Sequence, residues 1–189
     1  MKRLFVAIDF HLDDDFLNYI QQIRLKMSKL DKTTWVQPHL MHLTLKFLGD
    51  TPEWKIPKIS YMLNEQTEKT KSFDCTMTHL GVFGSHSHPN VLWIGVHAEQ
   101  ILFDLNKNIE TSLKSIGYKP YYGHFVPHVT LARINRLDDK NMFWTAVKTM
   151  QDKFSSQYLV SSIKLYESIL KKGYNPIYEQ IAEFPLLNS

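Results

Sequence analysis

The chain has few of the residues that mark several large classes of protein. It contains one cysteine, Cys75, in 189 residues, so no internal disulfide can form. It has seven glycines and no glycine-rich phosphate loop after its first predicted strand, which argues against a doubly wound nucleotide-binding fold. No apolar run reaches eighteen residues, so the sequence predicts no membrane span. Together these absences predict a cytoplasmic protein.

Basic residues are neither numerous nor clustered. The formal net charge is +3, and charged residues make up 22% of the chain, without a long run of Lys and Arg. Any nucleic-acid binding should therefore be local, at an end or at a single nucleotide. Apolar residues make up 43% and aromatic residues 13%, which is enough for a packed interior. The length suits one domain, or two small lobes that share a core.

A short pattern occurs twice. Residues 42–48 read HLTLKFL, and residues 128–134 read HVTLARI. Because side chains alternate between the two faces of a strand, His42 and Thr44 should share one face, as should His128 and Thr130. The residues between them are apolar and should face the interior. Each copy therefore predicts a strand that presents an imidazole beside a hydroxyl.

Two such strands facing one cleft would bring together two proton-transfer groups and two hydroxyl donors. An unperturbed histidine titrates near neutrality, so one ring can act as a base and the other as an acid. Hydroxyl groups can donate hydrogen bonds to the non-bridging oxygens of a phosphate. This equipment suits the opening of a phosphodiester without a metal or a cofactor.

The remaining histidines and the cysteine have simpler interpretations. His39 lies near the first motif, and His86 and His88 form an H-x-H pair in a polar loop. No cysteine cluster or HExxH context supplies the third and fourth ligands that zinc requires, so we expect no metal site. Cys75 lies in an alternating run, where a buried thiol is the ordinary outcome.

The periodicity of the apolar residues predicts a mixed order of strands and helices. We expect strands over 3–10, 34–36, 42–48, 72–80, 91–96, 128–134, 158–168 and 176–184, and helices over 13–30, 55–68, 99–116 and 139–152. Loops are predicted over 81–90, over the aromatic stretch 118–127 and at the turn 171–175. The two motifs lie 86 residues apart, which suggests two related halves. The predicted class is α+β, with antiparallel sheets that line a central cleft and helices outside.

With these motifs, the chain resembles the two-histidine (2H) phosphoesterase superfamily, and within it the RNA 2′,3′-cyclic phosphodiesterases, also called 2′-5′ RNA ligases. The resemblance spans nearly the whole chain. Its most specific segments are FVPHVTLARI at 125–134 and HLTLKFLG at 42–49, with LFVAIDF near the N-terminus and VLWIGV at 91–96. The loop GVFGSHSHPNV departs from the family pattern by two additional histidines. Ser168 and Tyr178 match family positions, but no role follows from the sequence.

The resemblance implies a fold and an activity. The family fold is a single bilobal domain with pseudo-twofold symmetry, so we expect one domain over 1–189 with one motif strand in each lobe. Family members hydrolyse the 2′,3′-cyclic phosphate ends of RNA to 2′-phosphates without a metal, and some join RNA halves through a 2′-5′ bond. The expected partners are accordingly RNA ends or nucleotides that carry a cyclic phosphate. We expect a monomer with no obligate protein partner.

The resemblance also implies roles for five residues. His128 is assigned as the base and His42 as the acid, although the residues alone allow the reverse. Thr44 and Thr130 are expected to bind the phosphate. Arg133 occupies the family's arginine position, yet on an ideal strand it faces away from His128, so contact with substrate requires a twist or a bulge. A sixth residue, Phe125, lies in the aromatic stretch before the second motif, which could stack on a base or pack under the loop, and we expect it at the substrate or in the cleft wall.

Two other functions remain open from the sequence. A related enzyme could cleave 2′-5′-linked oligonucleotides or another cyclic phosphate, and substrate profiling would identify it. A binding module could recognise nucleotide ends without turnover, although both motifs are intact. Tight binding of 2′-AMP without hydrolysis of any cyclic nucleotide would favour that alternative.

Overall fold

The computed structural model describes residues 1–27, 33–171 and 175–188. The strands are β1 (Lys2–Asp9), β2 (Thr33–Trp35), β3 (His42–Thr51), β4 (Phe73–Gly84), β5 (Pro89–Ala98), β6 (His128–Ile134), β7 (Ser155–Val160), β8 (Ser162–Ile169) and β9 (Ile177–Pro185). The α-helices are α1 (Asp14–Lys26), α2 (Ile56–Thr67), α3 (Gln100–Ser115) and α4 (Lys140–Met150), and two short 3₁₀ turns span Pro38–Leu40 and Glu53–Lys55.

All named strands belong to one antiparallel sheet. Its order is β7-β4-β5-β6-β3-β1-β8-β9, and β2 pairs with β6 outside this path. The two motif strands, β3 and β6, are therefore central neighbours. They share one register pair, between Leu43 and Val129. Strand β2 pairs with β6 along the edge that faces β3, opposite the edge that pairs with β5. The predicted α+β class with antiparallel sheet and flanking helices is confirmed.

Three strands lie outside the motif strand in each half of the sheet. From β3 outward the sheet runs β1, β8 and β9, and from β6 outward it runs β5, β4 and β7. Each motif strand pairs with the strand that precedes it across a helix, since β1 leads through α1 to β3, and β5 leads through α3 to β6. This arrangement brings the two motifs, distant in sequence, to the middle of one sheet.

The core follows from the apolar spacing that the sequence shows. The inward residues of the motif strands, Leu43 and Leu45 in β3 and Val129 and Leu131 in β6, are almost completely buried. The helices bury one apolar stripe each, as expected for amphipathic helices that cover a sheet. Helix α1 begins after Asp13, whose carboxylate accepts a hydrogen bond of 2.8 Å from the backbone N–H three residues on.

Several boundaries differ from the sequence prediction, and two of the differences change an element. The predicted loop 81–90 is mostly strand, because β4 and β5 pair almost to their ends and leave a turn over 85–88. The predicted strand 158–168 is divided at Ser161 into β7 and β8. Strand β7 pairs with β4 in one half of the sheet, and β8 pairs with β1 in the other half. A propensity pattern cannot show that a continuous run changes its pairing partner. The predicted end of the first helix and most of the turn 171–175 lie outside the described residues.

No helix within the described ranges is long and apolar enough to cross a membrane.

Candidate active site

His42 is held in one orientation by two hydrogen bonds. Its Nδ1 lies 2.8 Å from the carbonyl oxygen of Leu40, and its Nε2 lies 3.1 Å from the hydroxyl oxygen of Thr44. A carbonyl can only accept, so Nδ1 carries a proton and the neutral ring has its lone pair on Nε2. The rings of Phe5 and Tyr178 pack against the imidazole, with centroids 4.9 and 5.3 Å away.

His128 has an equivalent arrangement in the other half. Its Nδ1 donates to the carbonyl oxygen of Val126 at 2.7 Å, again two residues earlier in the chain. The Phe83 ring meets the imidazole edge-on at a centroid distance of 4.8 Å, and Trp93 lies at 5.9 Å. In both motifs a backbone carbonyl thus selects the tautomer and leaves Nε2 available for proton transfer.

Both imidazoles have a lowered pKa. Burial is the main cause for His42, and the charge of Arg133 and the neighbouring His128 lower the pKa further, against the Leu40 carbonyl and Asp9, which raise it. Burial is also the main cause for His128, again with a lowering effect of Arg133 and a raising effect of the Val126 carbonyl. The charge of Arg133 lowers the pKa of both imidazoles, so its guanidinium lies near both histidines.

The two histidines line one cavity of about 610 Å³. Thr44 and Thr130 line it as well, so all four polar residues of the two motifs converge as the strand periodicity predicts. Arg133 lines the same cavity. The aromatic and polar residues around them include Phe5, Trp35, Phe47, Phe83, Ser168 and Tyr178.

Arg133 reaches the cavity because of a bulge in β6. Trp93 of β5 is paired with Thr130, and the preceding Leu92 is paired with Ala132, so Leu131 is an extra residue. A bulge shifts the alternation of side chains by one residue. On an ideal strand, the five-residue offset would place His128 and Arg133 on opposite faces. With the bulge between them, both side chains can face the cavity.

Strand β3 has a bulge at the matching position. Ala7 of β1 is paired with Thr44 and Val6 with Lys46, so Leu45 is the extra residue. The residue that corresponds to Arg133 is consequently Phe47, which lines the cavity and is 68% exposed. Sequence reasoning missed Phe47, although the equal spacing of five residues from each motif histidine was visible in the sequence. At these matching positions, one half thus presents a cation and the other half an aromatic ring.

Phe125 lines a second cavity of about 380 Å³ rather than the first. Its ring packs edge-on against Phe103 of α3, at 6.0 Å between centroids. The second cavity adjoins the first, because Thr44, Phe47, Phe83 and His128 line both.

The other singled-out side chains lie elsewhere. His86 stacks on Trp144 with ring centroids 4.8 Å apart. This packing accounts for one of the two additional histidines in the loop. Within the described ranges, no group of three His, Cys, Asp or Glu side chains is placed to hold a metal ion. Cys75 is buried, and burial raises the pKa of its thiol to about 12, as expected for a structural cysteine.

Comparison with known proteins agrees with this geometry. The sequence model of the 2′-5′ RNA ligase superfamily matches residues 12–170. The chain belongs to this superfamily. Among relatives, the RNA 2′,3′-cyclic phosphodiesterase of Methanocaldococcus jannaschii is 30% identical over 185 residues, covering 96% of this chain and 99% of the relative. The protein of the same name from Archaeoglobus fulgidus is 32% identical over 187 residues, with coverage of 96% and 99%.

Solved structures confirm the superfamily fold. The crystal structure of TT0787 of Thermus thermophilus superposes with a TM-score of 0.80 at 22% identity, over 98% of both chains. The crystal structure of E. coli LigT complexed with 3′-AMP superposes with a TM-score of 0.73, also at 22% identity and over 98% of both chains. The superfamily scaffold is therefore present over essentially the whole chain.

Proposed function

We propose that this protein hydrolyses the 2′,3′-cyclic phosphate ends of RNA to 2′-phosphates, with His42 and His128 as its acid–base pair. One observation carries the proposal. Two imidazoles from separate motifs line one cavity, and each has Nδ1 bound to a backbone carbonyl, which leaves Nε2 for proton transfer. The names of the M. jannaschii and A. fulgidus relatives support the substrate class.

The reaction needs a base, an acid and stabilisation of charge. In the proposed direction, His128 takes a proton from the attacking water, and His42 protonates the departing 3′-oxygen of the ribose. Each positioned acid or base is typically worth about 10²–10⁴ in rate. Arg133 and the hydroxyls of Thr44 and Thr130 bind the equatorial oxygens, where negative charge develops in the transition state.

The environment of the rings suits this exchange of protons. Burial lowers the pKa of both imidazoles, so a neutral base is readily available near neutral pH. The phosphate anion of the substrate favours the charged form of a neighbouring imidazole, which supplies the acid once substrate is bound. In the structure, the Thr44 hydroxyl is hydrogen-bonded to Nε2 of His42 and occupies the position at which the substrate oxygen would bind.

Phe47 is proposed as the platform for the nucleobase at the cyclic phosphate. An exposed aromatic ring beside a phosphate site can stack on a base, and such stacking is typically worth about 1–3 kcal/mol. Phe47 lies at the boundary of both cavities, so a stacked base would lie next to the phosphate. Phe125 belongs to the wall of the second cavity in this arrangement.

The decisive experiment is incubation with 2′,3′-cyclic AMP, and with an oligonucleotide that ends in a cyclic phosphate, in the presence of EDTA. We expect a 2′-phosphate as the product in both cases. Formation of a 3′-phosphate, or activity that EDTA abolishes, contradicts the proposal. Tight binding of 2′-AMP without any turnover identifies a binding module instead.

The assignment of acid and base has its own test. A nucleoside 2′-(4-nitrophenyl phosphate) has a leaving group that needs no protonation. The variant that lacks the acid should therefore recover activity on this ester, whereas the variant that lacks the base should not. Recovery in His42→Ala supports the proposed direction, and recovery in His128→Ala reverses it.

The second cavity favours one further candidate within the same chemistry. It adjoins the first at Thr44 and His128, and its volume of about 380 Å³ leaves room for a second nucleoside beyond the phosphate. The protein would then cleave or form 2′-5′ linkages between two RNA segments. Turnover of a 2′-5′-linked dinucleotide, compared with its 3′-5′ isomer, tests this candidate.

The broader setting is proposed on the same grounds. The chain is taken as one bilobal domain over 1–189, with one motif in each lobe, that works as a monomer in the cytoplasm on RNA ends. Each half has three strands outside its motif strand, and in each half a strand leads through a helix to the motif strand, which supports the two lobes. Light scattering of the purified protein at the assay concentration tests the monomer.

A further inference from the structure

A buried polar seam joins α3 to β3 immediately beyond the first motif. It consists of Asn106 and Glu110 on α3, four residues apart and hence on one helical face, with Leu45 and Lys46 on β3. The side-chain amide of Asn106 donates to the carbonyl oxygen of Leu45 at 2.8 Å, and Nζ of Lys46 lies 2.6 Å from Oε2 of Glu110. The Lys46 side chain is only 6% exposed, an uncommon place for a lysine.

The bulge in β3 creates this seam. Because Leu45 is an extra residue, Lys46 is turned away from the histidine cavity, while Phe47 is turned toward it. Burial of both Leu45 and Lys46, side by side in the strand, is the expected signature of such a bulge. The lysine therefore contacts α3 instead of substrate.

The same ion pair also holds the loop that leads to His128. Nζ of Lys46 donates to the carbonyl oxygen of Lys119 at 2.7 Å, and Oε2 of Glu110 accepts from the backbone N–H of Tyr121 at 3.2 Å. The loop continues from these two anchors to Val126, whose carbonyl oxygen is the partner of His128 Nδ1. A side chain that follows the first motif thus fixes the segment that precedes the second motif.

This connection compensates for sparse pairing at the centre of the sheet. In the part of the chain that the structure describes, β3 and β6 share only the register pair Leu43–Val129. Hydrogen bonds between the two strands are therefore too few to fix the distance between His42 and His128, and other contacts must hold the two histidines in place. The seam lies at the second cavity, which His128 and Thr44 also line.

We propose that Lys46 and Glu110 are positioning residues that hold the 119–126 segment and thereby the ring of His128 relative to His42. The inference rests on the proposed function, because positioning matters only if the two histidines act on one phosphate. A misplacement of about 1 Å in such a pair can cost roughly a hundredfold in rate. Charged groups near His128 are Arg133 on its own strand and His42 on β3, whereas Phe83 and Trp93 supply apolar contacts from β4 and β5.

The first test is the kinetics of Lys46→Met on 2′,3′-cyclic AMP. We expect kcat to fall at least about tenfold with KM within about twofold, because chemistry is misaligned while the substrate contacts remain. Lys46→Arg keeps a buried cation and should stay within about threefold of the unmodified protein. The matched control is Lys69→Met, which removes the exposed i,i+4 partner of Glu65 and should leave kcat unchanged.

The second test separates positioning from a loss of stability. If the loop loosens, His128 loses part of the burial that lowers its pKa together with the Val126 carbonyl that raises it, so the pKa of His128 should shift in Lys46→Met while that of His42 stays constant. Histidine side-chain NMR titration measures both rings and does not require turnover, so it remains informative if the protein proves inactive on cyclic phosphates. In the kinetics, the acidic limb of the kcat/KM profile should move in the same direction as the pKa of His128.

Three outcomes overturn the inference. They are an unchanged kcat in folded Lys46→Met, a fall in kcat that merely matches the folded fraction, and an NMR titration in which His128 does not shift. If Lys46→Met cannot be purified as a folded protein, Glu110→Leu takes its place in the same experiments, because leucine removes the oxygen that accepts from both Lys46 and Tyr121. A kcat for that variant equal to the unmodified value also overturns the proposal.

Discussion

Replacement of Arg133 by methionine tests the central geometry most directly. The bulge at Leu131 turns this side chain into the cavity that both histidines line. Methionine retains an unbranched apolar stem and removes the charge together with the guanidinium donors. Two consequences should follow, one on the rate and one on the pH dependence.

The loss of rate can be worked out from the contact that Arg133 is proposed to make. A hydrogen bond to a charged group is worth about 1.5–3 kcal/mol, and about 1.4 kcal/mol corresponds to a factor of ten in rate. We therefore expect kcat/KM to fall about 10- to 150-fold. A similar fall in kcat would show that the contact strengthens in the transition state.

The pH dependence should move upward. Burial lowers the pKa of both imidazoles, and the charge of Arg133 lowers them further. Without that charge, protonation of either ring is less unfavourable, so both pKa values should rise. Both limbs of the bell-shaped kcat/KM profile should accordingly shift to higher pH.

The assay is hydrolysis of 2′,3′-cyclic AMP between about pH 5 and pH 8, the range in which histidines titrate. Arg136→Met is the matched control, because Arg136 bonds to the exposed Asp138 at 3.0 Å and does not line the cavity. It should leave both the rate and the profile unchanged. If Arg133→Met behaves like this control, the arginine does not touch the reacting phosphate and the reasoning is refuted.

Three further predictions concern the same site. His42→Ala and His128→Ala should each lower the rate of cyclic phosphate hydrolysis about 10²–10⁴-fold while circular dichroism shows an unchanged fold, and a rate close to that of the unmodified protein removes that histidine from the mechanism. Phe47→Ala should raise KM about tenfold or more with little change in kcat, because base stacking worth about 1–3 kcal/mol is lost; an unchanged KM excludes Phe47 as the platform. The free energy of unfolding should fall as the pH drops below about 6.5, since the unfolded chain takes up protons at its ordinary histidine pKa before the buried rings do. Urea titrations at several pH values should show that the free energy of unfolding falls less with decreasing pH in His128→Ala than in the unmodified protein. An equal pH dependence in the two proteins would contradict the lowered pKa of that ring.

Much of the site could be predicted from the sequence because strand alternation is a local property. His42 and Thr44, like His128 and Thr130, line the cavity as the two-residue spacing requires. The inward leucines and valine of the same motifs are buried for the same reason. The α+β class followed from the mixture of alternating and helical apolar periods, and the structure confirms it.

The parts that could not be predicted depend on how strands pair. A bulge arises from the register with a neighbouring strand, so the orientation of Arg133 and the exposure of Phe47 were invisible in the local pattern. The division of the predicted strand 158–168 has the same origin, because its two parts pair on opposite sides of the sheet. Phe125 was expected at the substrate or in the cleft wall from its place before the second motif, and only the packing against Phe103 shows that it lies in the wall of the adjoining cavity.

Residue identity and alternation are properties of a single strand, and they were enough to predict the chemical groups of the candidate site and the face of each motif strand on which those groups lie. Three features became known from the folded chain alone: the central position of both motif strands, the side chains that the bulges turn inward, and the contacts of Lys46 and Glu110 that join the two halves. These features depend on contacts between segments far apart in the chain, and local periodicity has no information about such contacts.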